Sequence, residues 1–450
     1  MIYDRRMKVA SLKLRSLKPA WGAAALVLAC ASAPAAAQLG LPSLGLPRGI
    51  GPLDLDRLRA PAEQLLDRTP LPDLARLRLD QVNALLTRHP QALEADPLGN
   101  PAVRGEILAW NPAPAGLAAV ARAGLVPARE EDFPELGQRL LVLRAPPGAA
   151  LAALVERLRA ADPAGAYDFN HVYVGGGAAA TAQDQPGRLP EDPEPARGIR
   201  VGLVDSGPDR GHPVFAGSSI TQWGCDGQAR PAAHGTAVAA LMVGESGVFR
   251  GAAPGASLYA ADVYCDDPAG GSVERITAAL AWLAREQVGV INISLVGPGN
   301  ATLARVVAAM QARGHLLVAA VGNDGPAAAP LYPASYPGVV GVSGVDRRGR
   351  PLPEAARGAQ VMFAAPGAQM VSAAPGTPPY RQVRGTSFAA PIVAALLARH
   401  LPRADPAAAR RALDGLRQAA GLNQRLDDTV GFGIVGKALR TDPAAMQKRF

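Results

Sequence analysis

Aromatic residues make up only 4% of this chain of 450 residues. The net charge of +8 is spread along it with no long basic run. These two absences leave no clustered cationic face, so nucleic-acid binding is not expected. Long apolar runs are missing too. The one candidate, Trp21 to Ala33, is too short for a comfortable membrane span. Cysteine is limited to Cys30, Cys225 and Cys265. What the chain has in plenty is alanine, proline, glycine and arginine. This is a general compositional bias, and proline-rich stretches are discounted as structural signals accordingly. Hydrophobic residues reach 48%, so the bulk is globular, and the length allows more than one domain.

The N-terminus reads as a targeting segment. Arg5, Arg6, Lys8, Lys13, Arg15 and Lys18 precede the apolar stretch, and Ala35-Ala36-Ala37 before Gln38 resembles a signal-peptidase site. Residues 1–37 are therefore expected to be a signal peptide, and the product secreted or periplasmic. The alternative is a loose lipobox, Val27-Leu28-Ala29-Cys30. Cys30 would then be lipidated and the protein held at the outer membrane. The basic region is long, so Met7 is a second candidate for the start.

Chemistry enters at Gly385-Thr386-Ser387-Phe388-Ala389-Ala390-Pro391. Two small residues precede a serine, and an apolar helix-like run follows to Ala398. Ser387 at a helix N-terminus would sit where free backbone N–H groups favour developing negative charge. Alone, the stretch reads more readily as a helix cap. Val201-Gly202-Leu203-Val204-Asp205-Ser206-Gly207 reads as a buried strand presenting a carboxylate at its C-terminal end. His234-Gly235-Thr236 opens a small apolar helix. Singly these are a turn aspartate and a helix-start histidine. Together, in the order Asp, His, Ser, they suit a serine nucleophile with a base and an orienting acid.

With these motifs the chain resembles the subtilisin-like serine proteases (subtilases, peptidase family S8) over residues 198–440. Gly251-Ala252-Ala253-Pro254-Gly255-Ala256, the segment 288–297, Ala364-Ala365-Pro366-Gly367 and Gly431-Phe432-Gly433-Ile434-Val435 add to the resemblance. So does Val318-Ala319-Ala320-Val321-Gly322-Asn323-Asp324-Gly325, whose Asn323 matches the oxyanion-hole residue. The resemblance implies that Asp205, His234 and Ser387 are catalytic, with Asn323 and the Ser387 N–H holding the oxyanion. Substrates would be proteins or peptides, with no cofactor. It also implies an α/β fold: a subtilisin-like parallel sheet with helices on both faces, preceded by a ferredoxin-like α+β propeptide. A monomer is expected.

The domain plan follows. Residues 38–103 are a pro-region, partly helical through 74–88. Residues 104–174 carry a β-α-β-β-α-β order, the ferredoxin-like pattern. It runs through 106–110, 116–123, 126–130, 138–144, 149–160 and 167–174, with Leu151, Leu154, Val155 and Leu158 at helical spacing. Ala161-Asp162-Pro163 and Asn170-His171-Val172-Tyr173 resemble the end of subtilase propeptides, which assist folding and then inhibit. Residues 175–197 read as a linker, 198–440 as the catalytic domain and 441–450 as a tail. Autoprocessing is expected within 173–180. The rival is a permanent accessory domain. Cys225 and Cys265 form an even pair in an exported chain, so a disulfide is expected, against two buried thiols.

Departures from the family pattern bear on specificity. Ala237 replaces a second histidine, and Phe388 follows the nucleophile. Ser294-Leu295-Val296-Gly297 resembles the substrate-pairing strand, with Val296 where glycine is usual. Leu331 stands at the pocket floor, where glycine is frequent. Both predict small or modest apolar P1 residues. His212-Pro213-Val214 lacks the usual calcium aspartate and 244–250 is short, so no metal is expected there. Two rivals remain: a non-catalytic binding protein on the same scaffold, and an esterase. No triad or oxyanion residue is missing, which weighs against the first. The Gly-x-Ser-x-Gly elbow is absent at Ser387, which weighs against the second.

Overall fold

Continuous apolar runs buried on both faces build a parallel sheet here. The computed structural model describes residues 74–175, 178–179, 196–421 and 426–443. The expected signal segment with Cys30, residues 38–73 and the end of the expected tail lie outside the described residues. No helix among the described residues is long and apolar enough to cross a membrane.

In chain order the elements are α1 (Leu74–Arg88), β1 (Leu93–Ala95), β2 (Pro101–Trp110), α2 (Pro114–Arg122), β3 (Val126–Phe133), β4 (Gln138–Arg144), α3 (Leu151–Ala161) and β5 (Ala166–His171). Two short strands follow, β6 (Val174–Gly175) and β7 (Ala178–Ala179). Then come β8 (Arg200–Asp205), β9 (Ser219–Trp223), α4 (Ala233–Val243), β10 (Ser257–Asp262), α5 (Val273–Arg285), β11 (Val290–Ile293), β12 (Leu295–Val296), α6 (Ala301–Ala312), β13 (Leu316–Ala320), β14 (Val340–Val345) and β15 (Val361–Pro366). The last are β16 (Met370–Ala373), β17 (Tyr380–Arg384), α7 (Thr386–Ala398) and α8 (Pro406–Ala420).

The main sheet has seven strands in the order β15-β14-β13-β11-β8-β10-β9, paired in parallel throughout. β8 lies inside it, so Asp205 leaves the sheet at a strand C-terminal end. Side chains such as Val201, Leu203, Val290, Val318 and Val340 join α4 and α7 in one core. Val204, Ile291, Ile293, Leu317 and Ala319 join α5 and α6 in another. Helices thus cover both faces. Side chains cap several of them. Ser272 opens α5, Asn300 opens α6 and Asp405 opens α8, each accepting a backbone N–H in the first turn.

The N-terminal sheet has β2 at its centre, with β4 then β3 on one side and β5 on the other. With α2 and α3 this is the ferredoxin-like arrangement. β2 begins at Pro101 and pairs there with β1, so the sheet takes in residues before 104. Alternation divides its faces. Ile107, Ala109, Leu141, Leu143 and Tyr167 pack under α2 and α3. Leu108, Trp110, Leu140 and Val142 belong to the core that holds α5 and α6. β5 also reaches the free N–H groups of those helices. Asp168 accepts from Ala301 N at 2.7 Å, and Asn170 accepts from Glu274 N at 3.2 Å. Arg129 bridges Glu106 and Glu274 beside them.

Candidate active site

Asp205 ends β8 and is 1% exposed. Its Oδ1 accepts from Ser206 N at 2.6 Å and Ser206 Oγ at 3.0 Å. His234 is the second residue of α4, and its Nδ1 donates to Asp205, with both carboxylate oxygens at 2.9 Å. Ser206 Oγ in turn accepts from Gly235 N at 3.0 Å, tying the histidine helix to the aspartate strand. Burial disfavours the charged imidazole. The neighbouring Asp205 charge and hydrogen bond more than offset this, so the His234 pKa is raised.

Ser387 is the second residue of α7 and fully buried. Gly385 holds the strand-to-helix turn at φ 136°, a conformation side chains rarely adopt. The His234 ring lies 5.3 Å from the ring of Phe388, the residue after the serine. Ser387 Oγ and His234 Nε2 have no hydrogen-bond partner. The serine–histidine bond is therefore not made here, as is common before substrate tightens a site.

Pro391 lies inside α7 and not in its first turn. Lacking an N–H, it leaves the carbonyl of Ser387 without its helical donor. Ser294 Oγ supplies one at 3.2 Å, and accepts in turn from Asn292 Nδ2 at 2.7 Å. Ser294 was expected on the substrate-pairing strand. It lies fully buried just before that strand and supports the first turn of α7.

Asn323 follows β13. Its Oδ1 accepts from Thr386 N at 3.0 Å, and Thr386 Oγ1 accepts from Gly322 N at 3.2 Å. These reciprocal bonds clamp the asparagine loop to the serine turn. Asn323 Nδ2 is buried with no partner, an amide donor held ready beside Ser387. Four groups thus converge: a hydroxyl, an imidazole, a carboxylate and an unpaired amide N–H. They can carry acyl transfer through a tetrahedral oxyanion.

The cleft is occupied by the chain itself. β6 pairs antiparallel with β12, Gly175 opposite Leu295 and Val174 opposite Val296. β7 pairs antiparallel with β17, the strand leading into Ser387. The segment expected to be an exposed linker thus starts as two strands on either side of the nucleophile. Tyr173 is fully buried. Its N–H donates to Gly271 O at 2.9 Å, its hydroxyl donates to Pro298 O, and its carbonyl accepts from Tyr264 Oη at 3.2 Å. Its ring lies over Gly297, where a Cβ would fall 2.6 Å away. Leu331 is 8% exposed against Gly322, and Gly297 bridges to Tyr332 next to it. Leu295 and Val296 are buried in β12, which runs into Gly297.

Sequence reasoning missed Ser206, Thr386, Tyr264, Gly271 and β17. Ser206 and Thr386 sit inside the quoted motifs, and their short hydroxyl side chains were the signal. Cys225 and Cys265 are joined with Cα atoms 5.1 Å apart. They tie the ends of β9 and β10 beside Asp262. Among the described residues these three alone form a metal-ligand cluster, and its sulfurs are taken.

The subtilase family model matches residues 196–433, over half of the chain. Subtilisin E of Bacillus subtilis is 35% identical over 33% of this chain and 41% of its own length. Thermitase of Thermoactinomyces vulgaris is 33% identical over 44% of this chain and 72% of its own. The chain thus spans less than half the length of the first relative and most of the second. Fervidolysin of Fervidobacterium pennivorans, described as a keratinolytic enzyme related to subtilisin, shares the fold. Its TM-score is 0.62 at 21% identity, covering 75% of this chain and 61% of that one. The ordered motifs, the seven-stranded sheet and the matched region agree: this chain belongs to the subtilase family.

Proposed function

We propose that this chain is an exported serine endopeptidase made as a precursor that cuts itself. The observation that carries the proposal is that β6 and β7, with Val172 and Tyr173 before them, enter the cleft as strands. They pair with β12 on one side of Ser387 and with β17 on the other. Backbone pairing of this kind presents a peptide bond to a nucleophile without regard to most side chains.

In the proposed mechanism Ser387 Oγ attacks the scissile carbonyl carbon while His234 Nε2 takes its proton. Asp205 holds the Nδ1–H tautomer and stabilises the imidazolium. The carbonyl oxygen, now an oxyanion, takes hydrogen bonds from Asn323 Nδ2 and the Ser387 N–H. As the tetrahedral intermediate collapses, the C–N bond breaks and His234 protonates the leaving amine. Water, deprotonated by His234, then releases the acyl group from Ser387.

β6 ends at Gly175 and β7 starts at Ala178, so the cut falls between them. Residues 175–180 are all glycine or alanine, which suits the small P1 preference that Val296 and Leu331 predict. The freed N-terminal domain would stay bound through the helix caps at Asp168 and Asn170 and inhibit. The signal segment would export the protein, with Cys30 lipidation as the alternative fate.

Mass spectrometry of the product from wild type and from Ser387→Ala tests this. Wild type should begin at residue 176, 177 or 178 and hydrolyse casein, while Ser387→Ala stays joined and inert. Cleavage in Ser387→Ala expressed alone would sink autoprocessing. A peptide-library profile dominated by Phe, Tyr, Lys or Arg at P1 would refute the pocket assignment.

A further inference from the structure

α1 takes no part in the chemistry above and is no part of the ferredoxin-like pattern. It nevertheless has a distinct inner face. Val82 is 8% exposed, and Arg78, Leu85, Leu86 and His89 are half-buried. The spacing i, i+4, i+7, i+8, i+11 is that of one helical stripe. Leu77 and Leu79, off the stripe, are 46% and 59% exposed.

The two ends of that stripe meet the catalytic domain at different parts of the cleft. Near the N-terminal end, Arg78 Nε pairs with Asp324 Oδ2 at 3.2 Å, with side-chain exposures of 20% and 16%. Asp324 directly follows Asn323, the proposed oxyanion donor. Burial pushes the Asp324 carboxyl pKa up, and the Arg78 charge opposes this. Towards the C-terminal end, Leu85 and His89 line a cavity of about 190 Å³ together with Tyr173, Val174, Tyr264 and Gly270. These are the strand lying in the cleft and the wall it pairs with. From Arg78 to His89 a helix spans roughly 16 Å, enough to reach from the oxyanion loop to the far wall.

We propose that α1 is a second inhibitory element, an amphipathic strap seated across the cleft on top of the strand that fills it. This rests on the protease reading and extends it. Once the chain is cut between Gly175 and Ala178, residues 172–175 keep their pairing with β12 and Gly271. α1 covers that strand from outside. The cut precursor therefore stays inactive until α1 is lifted or removed, so activation takes two events.

The test uses the full chain with Arg78→Ala, with Leu85→Glu and with the off-stripe control Leu79→Glu. Self-cleavage is followed by mass spectrometry and peptide hydrolysis by a chromogenic substrate. Arg78→Ala and Leu85→Glu should cut themselves at the wild-type rate. Their lag before hydrolysis should be shorter by about fivefold or more, the effect of truncating an anchor in a small interface. Leu79→Glu should keep the wild-type lag. Normal self-cleavage with an unchanged lag in both stripe variants overturns the strap.

If no chain hydrolyses the substrate, the protease reading fails instead, and hydrogen exchange judges the docking. In full-length Ser387→Ala, amides of 74–88 should be protected, and adding Leu85→Glu should remove that protection. Equal exchange in the two chains overturns the docking of α1.

Discussion

Replacing Tyr173 should loosen the hold of the N-terminal domain on the cleft without touching the groups proposed for catalysis. The side chain is fully buried, and its ring covers Gly297. A tyrosine buries about 150 Å² or more, which at ~25 cal/mol per Å² contributes about 4 kcal/mol. Part of that surface stays covered in the released domain, so Tyr173→Ala should cost about 3–4 kcal/mol of binding, or roughly 10²–10³-fold. Tyr173→Phe keeps the ring and removes the hydroxyl with its bond to Pro298 O, an effect of about 0.5–1.5 kcal/mol, or roughly two- to tenfold. The backbone bonds to Gly271 and Tyr264 remain in both. The assay is titration of the processed chain by dilution, reading recovery of peptide hydrolysis as the N-terminal domain dissociates. The expected order is Ala, then Phe, then wild type. A Tyr173→Ala chain inhibited as tightly as wild type after normal processing would refute the reasoning.

Four further outcomes follow from the same geometry. Asn323→Ala should lower kcat by about 10²–10³ by removing the oxyanion donor. It should also unfold more easily than Asn323→Asp, which keeps the acceptor for Thr386 N; equal denaturation midpoints would contradict that role for Oδ1. Because Asp205 raises the His234 pKa, the neutral base is lost as pH falls through a value above that of an ordinary histidine. The acid limb of kcat/KM should lie there, and Asp205→Asn should move it down while reducing kcat about 10⁴-fold; an unmoved limb argues against the pairing. The Cys225–Cys265 bridge closes a 40-residue separation, so Cys225→Ser/Cys265→Ser in the inert Ser387→Ala chain should lose about 4 kcal/mol in urea unfolding. A loss under about 1 kcal/mol would rule out that estimate. The short turn at Glu245–Arg250 is closed by its own ion pair, so a chelator should leave Tm unchanged, and a clear fall would expose a cation site.

The candidate constellation was legible because each motif encodes its local geometry. An apolar run ending in Asp205 makes a buried strand tip. Gly385 before Thr386-Ser387 makes the turn that opens a helix. Glycine and asparagine after Leu316–Ala320 make the loop. The alternating and helical stripes of 106–160 likewise announced the ferredoxin-like order. Boundaries were less legible. β2 runs back to Pro101 because β1 pairs there, while Arg104 and Gly105 interrupt the apolar pattern before Ile107. β17 and α8 went unread, the first because its partners are remote.

By itself the sequence determined which residue types stand at strand tips and helix starts, and so which chemistry the chain can support. Tertiary structure alone decided what those groups face. Pairing of β6 with β12 and of β7 with β17 uses backbone groups, which carry no residue code. The donation from Ser294 to the Ser387 carbonyl exists only because Pro391 leaves that oxygen free. The reach of α1 from Asp324 to Tyr173 depends on how one domain lies on another. Contacts between residues far apart in the chain cost loop entropy and leave no local pattern, so they become visible only once the fold has closed.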